Sequence, residues 1–66
     1  MTIIERIKSE IMSLTPEIYR DAMLMRFGFT DGVTHSREDV CNTYNLDPDK
    51  AMILEKMIIK NVFKTT

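Results

Sequence analysis

Apolar positions recur three and four residues apart along most of this 66-residue chain, and that spacing predicts four helices. Ile3, Ile4, Ile7, Ile11 and Leu14 form the stripe of a first helix over residues 3–13. Thr2 and Glu5 fit a Thr-x-x-Glu capping box at its start. The second helix is expected to open at Thr15-Pro16-Glu17, with Thr15 as N-cap, proline at the first helical position and an acid in the first turn. Gly28 is placed to end it in the left-handed conformation. Ile18, Tyr19, Ala22, Met23, Met25 and Phe27 cover much of its circumference, which predicts burial on more than one side.

Residues 29–35 read as a loop around Asp31-Gly32, with flanks too short for a hairpin. A third helix follows from Ser36, with Asp39 placed for an approximate capping box, and ends near Tyr44. Asn45 tolerates a positive φ at low cost, as the tight turn after that helix requires. Asp47 and Pro48 open a fourth helix that runs to about residue 63. On it, Ala51, Leu54, Met57, Ile58 and Val62 fall on one arc, the expected core face. Met52, Ile59 and Phe63 fall on another arc, and Ile53 stands apart between Lys56 and Lys60. Unless the first helix covers that second side, Met52, Ile53, Ile59 and Phe63 make an exposed protein interface, for which adaptable methionine is well suited. No alternating pattern with turn signals suggests a strand, so the expected class is all-α.

Chain length bounds the rest. Sixty-six residues make one domain at most, and such a chain buries only about 60% of its extended surface. A single cysteine, Cys41, excludes an internal disulfide and is expected to be a small buried side chain. Glu5, Arg6 and Lys8 interrupt the N-terminal apolar run, so no signal peptide is expected, and no apolar run approaches a membrane span. A cytoplasmic protein is the resulting expectation. Nine basic residues face ten acidic ones, giving a net charge of −1 and a pI near 5.7. Autonomous DNA-binding domains this small usually carry a basic excess, because phosphate neutralisation drives their affinity. This chain has none in either half.

No catalytic or metal chemistry is expected. His35 sits beside a helix start, where capping or solvent exposure is the ordinary role, and no second histidine joins Cys41 in a zinc-ligand set. Glu38-Asp39 is a solvated helix start without a convergent base or nucleophile. Asp31-Gly32 lacks the alternating oxygen ligands of a calcium loop. The chain is therefore read as neither an enzyme nor a cofactor protein. Lys56, Lys60 and Lys64 recur every four residues, a ridge that is more often a solvated face than a phosphate track.

In order and spacing, several short motifs resemble the C-terminal promoter-binding domain, region 4, of bacterial RNA polymerase sigma factors. Leu14-Thr15-Pro16 is similar to the Leu-Thr-Pro that opens that domain, and Met25-Arg26-Phe27-Gly28 to its Met-Arg-Phe-Gly. Asp31-Gly32, His35-Ser36 and Glu38-Asp39-Val40 follow the family's Asp-Gly, His-Thr and Glu-Glu-Val. Tyr44-Asn45-Leu46 stands where Phe-Gly-Val is usual, and Glu55 on the acid in the middle of the recognition helix. The likeness covers residues 14–62. It implies a four-helix domain containing a helix-turn-helix: an N-terminal helix over residues 1–14, then a sigma region 4-like unit over residues 15–66.

The departures bear on function. The family's recognition helix begins Thr-Arg-Glu-Arg and continues to an Arg-Gln pair that contacts DNA; here those positions are Asp47, Pro48, Asp49, Lys50 and then Met52-Ile53. The side chains able to make bidentate base contacts are missing. Nucleic-acid contacts that remain open are Arg26, Ser36, Arg37, Lys50, Lys56 and Lys60. The resemblance thus implies a free-standing regulator of transcription that binds RNA polymerase, a sigma factor or its regulator, or promoter DNA. The alternative is a non-transcriptional interaction module or homodimer that uses the apolar face of the last helix.

Overall fold

A computed structural model of the protein describes residues 2–64; Met1, Thr65 and Thr66, which belong to the expected single domain, lie outside the described residues. Four helices make up the architecture: α1 (Ile3–Met12), α2 (Glu17–Arg26), α3 (Arg37–Tyr44) and α4 (Pro48–Val62). The described residues contain no strand.

Local chemistry sets the helix ends. The Thr2 hydroxyl accepts from the Glu5 N–H at 3.1 Å, and Thr2 N–H donates back to the Glu5 carboxylate at 3.3 Å, a complete capping box. Ser36 Oγ accepts from Asp39 N–H at 3.1 Å and Asp47 Oδ1 from Asp49 N–H at 2.8 Å, so α3 and α4 both start on side-chain caps. Gly28, at φ +86°, stops α2: its N–H reaches the Met25 carbonyl while Phe29 N–H reaches Leu24 at 2.8 Å. A Cβ on Gly28 would lie 3.2 Å from Thr34, so shape as well as φ selects glycine there. Asn45, at φ 54°, stops α3 in the same left-handed way.

Thr15 does not cap α2, contrary to the sequence expectation. The helix begins one residue later, with Pro16 as the N-cap and no side-chain cap, because the Pro16 carbonyl accepts the Tyr19 N–H. Proline fixes φ at a value that an N-cap tolerates as well as a first helical residue, so the dipeptide alone leaves the register open.

α2 and α4 each pack against the other three helices. Ala51, Leu54, Ile58 and Val62 on α4 join Ile11 of α1, Ala22 and Met23 of α2, and Val40 and Cys41 of α3 in one buried cluster. Four of the five residues expected on the core face of α4 lie there. Met57 does not: it is exposed, because it sits about 100° around the helix from Ile58 and at the edge of the packed arc. Ile3 and Ile4 are also exposed, whereas Ile7, Ile11 and Leu14 of the same stripe pack on the cluster. α1 therefore docks by its C-terminal half, and Asn61 Nδ2 donates to Glu10 Oε2 at 3.3 Å across that contact. α1 covers the core side of α4 and leaves Ile53, Ile59 and Phe63 exposed at 48%, 41% and 52%.

Candidate functional site

Three chain segments converge on Glu55, midway along α4. Arg37, the first residue of α3, donates from Nε to Glu55 Oε2 at 2.7 Å and from a terminal nitrogen to Oε1 at 3.4 Å. Arg26, the last residue of α2, brings its Nε within 3.3 Å of Glu55 Oε1; this is an ion pair that lacks hydrogen-bond alignment. The Glu55 side chain is only 13% exposed. Its placement has an electrostatic reason. Arg26 at the C-terminal end of α2 suits the helix dipole, but Arg37 at the N-terminal end of α3 opposes it, and the carboxylate offsets that conflict. Glu55, hydrogen-bonded to Arg37, raises the guanidinium's pKa above its ordinary value.

The loop before α3 is tied to the same cluster. Arg26 donates from a terminal nitrogen to the His35 carbonyl at 3.0 Å. His35 Nε2 lies 3.0 Å from Asp31 Oδ2, and Asp31 Oδ1 accepts from Val33 N–H at 3.0 Å. The hydrogen bond from His35, then that from Val33, lowers the Asp31 carboxyl below its ordinary value of 3.8.

Beside Glu55 opens a groove of about 480 Å³. Phe27, Met52 and Ile59 supply its apolar surface, and Arg26, Arg37, Lys56 and Lys60 its positive charge. The structure thus brings two sets of sequence candidates together. Of the six side chains considered for nucleic acid, Arg26, Arg37, Lys56 and Lys60 line this groove; of the four considered for protein contact, Met52 and Ile59 do. Ile53 and Phe63 are exposed outside the lining. Ser36 is engaged in capping α3. Lys50 lies on another side of α4, its ammonium 5.2 Å from the centre of the Tyr19 ring, and lines a separate depression of about 280 Å³ between α1 and α4.

Two members of the groove escape the sequence reading. Phe27 reads there as part of the α2 surface, and Glu55 only as a family position. A signal for Glu55 exists: it is the lone acid of α4 after the first turn, set among apolar residues. Among the described residues no three His, Cys, Asp or Glu side chains cluster as a metal site, and no helix is long and apolar enough to cross a membrane. The groove combines apolar surface with positive charge, an arrangement suited to binding. Neither a protein-family model, nor a curated protein, nor a solved structure matches the chain.

Proposed function

We propose that this chain is a sigma region 4-like helix-turn-helix module that regulates transcription by binding RNA polymerase or a sigma-associated protein, as a cofactor or competitor of a complete sigma factor. The helix-turn-helix reading draws support from a short capped α3, the left-handed Asn45 and a longer α4 that starts on Asp47. One observation carries the preference for protein over DNA: Glu55 holds both Arg26 and Arg37. The carboxylate already neutralises part of the charge of each guanidinium, so a phosphate gains less from either one. The neighbouring Met52 and Ile59 offer no hydrogen bond to a base edge. The protein's net charge of −1 adds no general attraction to DNA. Retention of the full chain by core RNA polymerase in a pull-down is the expected result, and no retention contradicts the proposal.

The exposure of Ile53, Ile59 and Phe63 favours a second reading, in which a non-transcriptional module dimerises or binds another helix through this face of α4. Sedimentation that shows only monomer at high concentration removes the dimer.

A further inference from the structure

We infer that the groove beside Glu55 docks an acidic amphipathic helix of a partner protein. This deepens the protein-binding reading above and rests on it. Two observations select such an occupant. The lining carries four cationic side chains against one carboxylate, so it is locally positive on a chain that is slightly negative overall. The same lining includes the apolar side chains of Phe27, Met52 and Ile59. Duplex DNA satisfies the charge but not the apolar surface, since phosphates and sugar edges gain nothing from methionine and isoleucine. An uncharged apolar helix satisfies the apolar surface but leaves the lysines without partners. A helix with carboxylates flanking an apolar stripe satisfies both.

The dimensions agree. From Met52 to Lys60 the groove follows about 12 Å of the α4 axis, which is two turns of an incoming helix. That length receives apolar anchors at positions i, i+3 or i+4, and i+7. Lys56 and Lys60, one turn apart on α4 and both exposed, stand on the rim where the partner's carboxylates would lie. Arg26 and Arg37 contribute less, because Glu55 already holds them.

The test uses the full chain and three fluorescent probes: a synthetic helix of about 16 residues with a leucine stripe flanked by glutamates, the same stripe flanked by lysines, and a mixed-sequence DNA duplex. At physiological salt the acidic helix is expected to bind at least about tenfold tighter than the basic one. The double variant Lys56→Glu/Lys60→Glu is expected to reverse that preference, and Ile59→Gln to weaken both helices. All three positions are exposed, and circular dichroism verifies that the variants keep their helices. Equal binding of the two peptides overturns the inference. So does DNA that displaces the acidic helix at physiological salt, or self-association of the chain that occludes the groove. Polymerase retention separates the two levels. Retention without a peptide preference removes this occupant and leaves the proposed function standing, whereas a peptide preference without retention removes polymerase and keeps the groove.

Discussion

Arg37 and Glu55 meet at 2.7 Å, and that contact joins the first residue of α3 to the middle of α4 across 18 positions of sequence. It ties the two helices together while the Arg37 side chain stays 40% exposed. Arg26 lies beside the same carboxylate, so Glu55 offsets the charge of two guanidiniums.

Glu55→Gln should therefore uncover two guanidiniums. Affinity for mixed duplex DNA at low salt is expected to rise, and the log–log dependence on salt to steepen by roughly 1 to 2, about one unit for each phosphate newly neutralised. Thermal stability should fall at the same time, because the α2, α3 and α4 segments lose their shared anion. Salt titrations by fluorescence anisotropy read the first effect and a melting curve the second; an unchanged salt slope sinks the masking role of Glu55.

The two ends of α1 should respond differently to truncation of an isoleucine. Ile11 is fully buried, so Ile11→Ala is expected to cost about 2–5 kcal/mol, a large part of the stability of a domain this small. Ile4 is 65% exposed, and Ile4→Ala should fall within about 0.5 kcal/mol of the parent. Urea unfolding of both variants decides whether α1 belongs to the cooperative unit.

Caps offer a matched comparison. Ser36→Ala removes the acceptor for Asp39 N–H and is expected to lower stability by about 1 kcal/mol. Thr15→Ala removes no side-chain cap and should be close to neutral. Equal losses in a denaturant midpoint would show that Thr15 caps α2 after all.

Protonation of Asp31 should loosen the loop that leads into α3. Its carboxyl is held below 3.8, first by the hydrogen bond from His35, so the folded state binds that proton less readily than the unfolded chain. The contribution is then fully present above 3.8 and lost as the pH falls through the lower folded value. An NMR titration of the Asp31 carboxyl should show a midpoint below 3.8 in the parent and a return towards it in His35→Ala.

What is legible in the sequence follows from range. Thr2 with Glu5, Ser36, Asn45 and Asp47 act within three residues of themselves, and each ends or starts a helix where the pattern places it. Periodicity also identifies Ala51, Leu54, Ile58 and Val62 as buried. It fails at Met57 and Ile4, because a stripe on one helix does not record where its neighbour's surface stops. Thr15 fails for a local reason, a proline compatible with two registers. At the groove, the candidate cations and apolar residues are each visible as types at helical spacing. Their convergence around Glu55 is not, since it depends on how α2 and α3 lie across α4, and no periodicity within one helix encodes that crossing.

The most direct test of the central claim, a groove that engages protein in preference to DNA, is parallel binding of labelled chain to core RNA polymerase and to mixed duplex DNA at low and physiological salt. Binding to polymerase that persists at physiological salt, without comparable DNA binding, is the predicted result. Salt-sensitive DNA binding with no polymerase binding would contradict it.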